Sequence, residues 1–354
     1  MPESTRAFAA KLNKILGDDV IIPAEDLAIP RRYTSGSLSL DVILGGGFPG
    51  NLWTEVIGLE SSGKTSALLK AIAANQKLDP NFTTMWVAGE HFDSEQAEAL
   101  GVDLTRVDLA RTQSMEAATQ IMLEAAESQE YDCVILDSYP SLVPGEEAEK
   151  GMDEFTTATG AKLLNKFVRK AGPASQRPAD GSGRPFFGVI VNQYREKIGG
   201  FSRFGPLKTT PGGLGKNYFF YARVEVSRDD WITEKRPGIK DPVKVGQTVK
   251  FKTIKSKGSP PQQVATVDFY FVGAPFLGFK RGDYDTAKEY VDTAMALGVV
   301  ERAGAYYRFD GDQWQGKDKM LEAVREDVDL RASLQKAVLD MASDPKALDR
   351  RNDG

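Results

Sequence analysis

The run Gly58-Leu59-Glu60-Ser61-Ser62-Gly63-Lys64-Thr65 fits G-x-x-x-x-G-K-[ST], the spacing of a loop that cradles phosphates. Its glycines let successive backbone N–H groups converge on phosphate oxygens. Lys64 is placed to reach the β- and γ-phosphates, and the Thr65 hydroxyl to ligate Mg2+. Such a loop needs a strand to deliver it and a helix to leave it. Trp53-Thr54-Glu55-Val56-Ile57 reads as the strand. Residues 66–74 read as the helix, its N-terminus aimed at the anion. A structural glycine turn would need neither. The expected nucleotide contacts are therefore Gly58, Leu59, Glu60, Ser61, Ser62, Gly63, Lys64, Thr65 and Ser66.

Asp137 closes an apolar run that begins at Tyr131. A carboxylate there holds Mg2+ through water beside the phosphate loop, although strand-end aspartates also serve as plain caps. Glu90 follows a strand expected over 83–88, at the carboxyl edge where parallel sheets bind ligands. It either activates an attacking water or is a solvated loop glutamate. Asn192-Gln193 ends another strand at that edge, where a neutral amide can hydrogen-bond to a γ-phosphate. Beyond it, residues 194–223 hold Arg195, Lys197, Arg203, Lys208, Lys216 and Arg223 against the single acid Glu196, with six glycines and seven aromatics. Basic side chains in a glycine-rich loop suit a phosphodiester backbone; an ordinary surface loop with apolar anchors is the competing reading. In a helix over 158–171, Lys162, Asn165, Lys166 and Arg169 fall at i, i+3, i+4 and i+7 and form one stripe. That stripe is either a second patch for nucleic acid or a solvated face. Residues 145–154 before it carry five acids and one lysine, which repel phosphates unless they point elsewhere. Lys255 and Lys257 lie at a strand end and face one side, toward an anion or toward solvent.

These residues need a scaffold, and the chain is long enough to build one. Its 354 residues allow two or three domains, and 41% hydrophobic with 27% charged residues describes a soluble globular protein. The net charge of −5 decides nothing about nucleic acid. One cysteine, Cys133, and one histidine, His91, exclude an intrachain disulfide and any cysteine- or multi-histidine metal site. No signal pattern or membrane-length apolar run is present, so a cytoplasmic protein without membrane contact is expected. Apolar strands at 53–57, 83–88, 131–137 and 186–192 alternate with helices at 66–74, 94–100, 115–128 and 158–171. This is an α/β pattern with a mostly parallel, doubly covered sheet. Later strands are expected at 222–228, 246–254 and 264–272. Residues 35–50 read as a turn-rich approach, and 173–185 and 229–245 as surface loops. Phe8, Leu12, Ile15 and Leu16 share one face of a helix over 3–17, which either caps its own core or docks on a neighbouring subunit. Helices at 284–297, 317–326 and 329–342 with an aromatic hairpin near Tyr306 form a small α+β unit. The expected divisions are 1–34, 35–278, 279–342 and a polar tail at 343–354.

SGSLSLD at 35–41, ESSGKT at 60–65, GEH at 89–91, LGVD at 100–103, ILDS at 135–138, NQYREKIG at 192–199, GG at 212–213 and KSK at 255–257 together resemble the bacterial RecA recombinases, as a phage or divergent member. The likeness runs from about residue 35 to 310. It implies a RecA-like ATPase core with an N-terminal oligomerisation segment. Its members bind ATP and Mg2+, form filaments on single-stranded DNA and then engage homologous double-stranded DNA for strand exchange. Glu90 would activate the water, with Lys64 on the phosphates and Gln193 as γ-phosphate sensor. Asp93 would contact adenine. Arg195, Lys197, Ile198, Gly212 and Gly213 would meet DNA in the loop 194–215, with 145–157 as the other loop and Lys162, Asn165 and Arg169 behind it. Lys255 and Lys257 would reach the neighbouring subunit's ATP, and the N-terminal helix would dock on that neighbour. The chain departs from the family where Gln96 stands in place of an adenine-stacking tyrosine. A second departure is a two-residue extension after Gly213, which leaves open whether Phe219 or Phe220 is the interface aromatic. A third is a tail without strong acidity. The alternative within the fold group is a ring-forming helicase or DNA-repair ATPase.

Overall fold

The computed structural model of the chain describes residues 3–17, 20–29, 31–149, 159–178, 181–202 and 205–343, with backbone alone for 196–202 and 205–207. An eight-stranded sheet organises it, in the order Val264–Tyr270, Val243–Ser256, Ala222–Glu234, Leu52–Gly58, Phe187–Gln193, Cys133–Asp137, Thr84–Ala88, Val107–Arg111. From Ala222–Glu234 to Val107–Arg111 every pairing is parallel. The two antiparallel strands close the other side. The phosphate-loop strand therefore sits inside the sheet, which explains its apolar run.

Alternation along each strand distributes its side chains between two cores. Val189 and Val191 join Val56, Leu68 and Ile72 on one face, where the helix Lys64–Leu78 packs. Ile190 joins Trp53, Leu136, Met122 and Phe167 on the other, under the helices Met115–Ser128 and Thr159–Ala174. In the latter helix Leu164, Phe167, Ala171 and Ala174 are buried while Lys162, Lys166 and Arg169 are exposed, as the 3.6-residue period requires.

Several expectations need correction. Residues 38–43 form a helix inside the stretch read as turns; Ser37 caps it by accepting from the Leu40 N–H at 3.3 Å. Val107–Arg111 is an unforeseen strand. It lies at the sheet edge and is too polar and exposed to carry an apolar signature. The stretch 229–245 is mostly strand: Ala222–Glu234 and Val243–Ser256 form one long antiparallel ribbon. Beyond the main core one face of this ribbon is solvated, while Ile232, Val243 and Val245 pack on the other with Tyr270 and Ala274; the charges of the solvated face make its sequence look like a loop. There Trp231 lies between the Arg228 guanidinium, 4.0 Å from the ring centre, and the Lys244 ammonium at 4.5 Å. The expected loop 173–185 begins as helix through Ala174, and Arg184 then pins it to the buried Asp132 at 2.5 Å.

The last helices, Thr286–Leu297, Lys317–Glu326 and Val328–Ser343, enclose a cluster that includes Val291, Met320, Val324, Leu334 and Val338 beside a three-stranded antiparallel sheet. Leu38 of the core helix enters that cluster. Glu289 fastens the junction, accepting hydrogen bonds from the Ser37 hydroxyl and from the Ser39 N–H and hydroxyl, the last two at 3.0 and 2.7 Å. At the other end, the helix Glu3–Leu16 leaves Phe8, Ile15 and Leu16 at 61%, 69% and 60% exposure. These residues do not cap the chain's own core.

Candidate functional site

The phosphate loop is held by backbone constraints. A Cβ at Gly58 would lie 2.3 Å from the Val226 carbonyl oxygen, so only glycine fits under the neighbouring strand. Gly63 adopts φ +98°, a region glycine enters without strain, and the helix starts at Lys64. The Lys64 ammonium donates to the Leu59 carbonyl at 2.7 Å and the Gly58 carbonyl at 3.3 Å. Burial lowers its pKa, against the pull of Asp137 and Glu90. The Ser62 hydroxyl is buried without a hydrogen-bond partner. Thr65 donates to Asp137 at 2.8 Å. Burial pushes Asp137 up to about 6, opposed by that hydroxyl. An orphaned hydroxyl, a folded-back lysine and a carboxylate short of positive charge fit a phosphate chain carrying a divalent cation. Thr65 and Asp137 would hold that cation.

Three further residues converge on this edge. Glu90 accepts from the Ser138 hydroxyl, and the Gln193 amide donates to the same carboxylate oxygen at 3.5 Å. The Gly89 and Glu90 N–H groups donate to the Asp137 carbonyl at 2.9 and 3.1 Å, fixing the turn. Gln193 is paired in register with Gly58. The structure thus brings Lys64, Thr65, Glu90, Asp137 and Gln193 together at the ends of four adjacent parallel strands. Asp93 caps the helix Ser94–Ala99, accepting from the Gln96 N–H at 2.9 Å. Gln96 itself reaches the Ser66 hydroxyl at 3.2 Å, so this segment lies against the phosphate-loop helix.

The predicted nucleic-acid residues fall into two groups. Gly212 and Gly213, at φ +102° and +75°, pack on the helix Thr159–Ala174; a Cβ on Gly212 would meet the Leu164 side chain at 2.3 Å, and one on Gly213 the Asn165 amide at 3.8 Å. Asn165 is thereby beside the loop, with Lys162 and Arg169 exposed on the same helix. Arg195 is exposed and opens the hairpin Arg195–Ser202/Gly205–Thr209, where it pairs with Thr209. The side chains of Lys197 and Ile198 lie outside the described residues, as do residues 150–157 of the second expected loop.

Lys216 and Arg223, counted with the basic loop, are not free to meet nucleic acid. Lys216 is fully buried and pairs with Glu55, which also accepts from Arg223 at 2.6 Å. A charge inside the sheet must have such partners. Lys255 is likewise engaged at home: its ammonium donates to the carbonyls of Asn217, Tyr218 and Phe220 at 2.7, 3.1 and 2.6 Å. Lys257 beside it is exposed. Sequence reading missed Ser138, whose hydroxyl aims Glu90, and Glu55. The signal for Glu55 was present: it is the one ionisable residue in a largely apolar central strand.

No helix among the described residues is long and apolar enough to cross a membrane. The chain matches the family described as RecA N-terminal domain over residues 6–274. It is 32% identical over 326 residues to Protein RecA of Saccharopolyspora erythraea, covering 91% of this chain and 85% of that one. Protein RecA of Picosynechococcus sp. is 32% identical with 97% and 94% covered, and that of Lactobacillus delbrueckii subsp. bulgaricus 33% with 86% and 85%. The family match over this length, and relatives above 30% identity covering most of both chains, place the chain in the RecA family of ATP-dependent recombinases.

Proposed function

We propose that this chain polymerises on single-stranded DNA with ATP and Mg2+ at its subunit boundaries, then pairs that strand with homologous double-stranded DNA. The observation that carries this is the Gln193 amide. It reaches Glu90 on the nucleotide side and begins the basic loop on the other. Gly58, Leu59, Glu60, Ser61, Ser62, Gly63 and Ser66 line the phosphates, with Lys64 on the terminal ones and Asp93 toward the base. Thr65 and, through water, Asp137 hold Mg2+, which supplies Lewis-acid neutralisation of phosphate charge. Glu90, aimed by Ser138, takes the proton of the attacking water. Lys255 and Lys257 serve the neighbouring subunit's nucleotide. For Lys255 this requires leaving its three carbonyls, so assembly exchanges one set of oxygens for another. Arg195, Lys197, Ile198, Gly212 and Gly213 grip DNA in one loop, with Lys162, Asn165 and Arg169 on the helix behind it. Contacts to the sugar-phosphate backbone leave sequence reading to base pairing. Residues 1–34 are the polymerisation segment, a reading supported by the exposed Phe8, Ile15 and Leu16, on a core at 35–278 with an appended unit at 279–342. The site of action is the cytoplasm.

Electron microscopy with an ATP analogue and single-stranded DNA tests this. Open helical filaments are expected. Closed rings would favour a helicase, and bare DNA would overturn the reading.

A further inference from the structure

The buried Glu55 belongs neither to the nucleotide contacts nor to the DNA contacts, yet it touches the framework of both. It lies three residues before Gly58, in the strand that delivers the phosphate loop. The two flanking strands are Phe187–Gln193, from which the basic loop departs, and Ala222–Glu234, into which the chain returns. One Glu55 oxygen accepts from the Asn192 amide at 2.8 Å and from the Lys216 ammonium. The other accepts from Arg223, its register partner, at 2.6 Å.

Each of these partners also holds the loop. The Asn192 amide donates to the Pro211 carbonyl at 3.1 Å, and its own oxygen accepts from the Gln193 N–H at 2.9 Å. Lys216 donates to the Thr210 hydroxyl at 2.8 Å, and Arg223 to the same hydroxyl at 3.4 Å. The departing and returning ends of the loop are therefore tied to one carboxylate, and the Gln193 N–H is two hydrogen bonds away from it, through Asn192. An apolar trio would hold three strands together as well as this cluster does, since buried ion pairs add little net stability over well-packed hydrophobic residues. An apolar trio would not reach Thr210, Pro211 and the Gln193 N–H.

We infer that Glu55 is a positioning residue. By holding Asn192, Lys216 and Arg223 together, it makes the placement of Gln193 and the placement of both loop roots a single variable, so that nucleotide state is transmitted to DNA affinity. This rests on the recombinase reading above.

The test uses the full chain with Glu55→Gln, and with the paired substitution Glu55→Leu plus Lys216→Met, which removes the two fully buried charges, leaves only the 13% exposed Arg223 without its carboxylate, and so keeps a folded sheet if the single variant does not. Three quantities are read: melting temperature, affinity for a labelled adenine nucleotide, and the ratio of oligothymidine affinities with and without an ATP analogue. The expected result is nucleotide affinity within about twofold of the parent and a ratio reduced about tenfold, within the range of typical coupling between sites. DNA stimulation of ATP hydrolysis should fall in parallel. A paired variant that keeps the parental ratio, whatever its melting temperature, would overturn the inference and leave Glu55 as a staple of the sheet. Absence of any nucleotide-dependent DNA binding in the parent would instead overturn the recombinase reading itself.

Discussion

The phosphate loop and the root of the basic loop stand on adjacent strands and treat buried polar groups in opposite ways. At the phosphate loop, Asp137 is pushed up to about 6, Lys64 is pushed down, and Ser62 has no partner. At the loop root, Glu55 has two cations and an amide, and each of those has a further partner. The first region leaves open the groups that a phosphate chain with a divalent cation would pair. The second is complete because its task is to keep its shape. A third buried carboxylate, Glu289, separates charge from hydrogen bonding. It accepts three hydrogen bonds but has no cation, one of its oxygens lacks a partner, and burial pushes it up to about 7.

The largest effect should come from the incomplete region. Lys64→Ala should abolish ATP hydrolysis in a phosphate-release assay. Full turnover would mean that the open groups at 58–65 are not a nucleotide site. Next, Glu90→Gln should slow hydrolysis by about 10²–10⁴-fold while ATP-dependent binding to single-stranded DNA survives. Equal loss of both would move Glu90 from the reacting water to the framework, and blur the contrast with Glu55.

Glu289 sharpens the comparison through pH. Its folded pKa of about 7 exceeds the ordinary 4.5, so the folded chain binds the extra proton more tightly. Its stabilising contribution is full below 4.5 and is lost as pH rises through about 7, a difference of about 3 kcal/mol. Asp41, which faces it, is itself raised to about 6 and titrates in parent and variant alike. Glu289→Gln should therefore melt higher than the parent at pH 8, with the gap closing toward pH 5. A gap independent of pH would show that Glu289 is not ionising in place. The smallest effect belongs to the exposed end of the basic loop. Arg195→Ala with Lys197→Ala should flatten the salt dependence of single-strand binding by about 0.7 in log–log slope per lost phosphate contact. An unchanged slope in a salt titration would place the grip elsewhere.

Much of the nucleotide edge is legible in the sequence. In a parallel sheet all strands end at one edge, so Glu90, Asp137 and Gln193, each just past an apolar run, had to face the loop at 58–65. The amphipathic helix with Lys162 and Arg169 outward followed from its period. Other features were illegible for identifiable reasons. Val107–Arg111 pairs on one side only and needs no apolar run. The ribbon around Trp231 projects beyond the core and looks like a charged loop. Lys216 and Arg223 have the same composition as their exposed neighbours, and nothing local separates a lysine that meets phosphate from one that meets a buried glutamate 161 positions away in the chain.

Sequence alone determined the α/β class, the phosphate loop and the family, because spacing, period and residue type are local properties carried by the chain. Tertiary structure alone decided which charges are available. Whether Lys216, Arg223 or Lys255 faces a ligand or a partner within the chain depends on which strands become neighbours, and that is set by the sheet order. The balance between desolvation and pairing is settled only once those neighbours are in place.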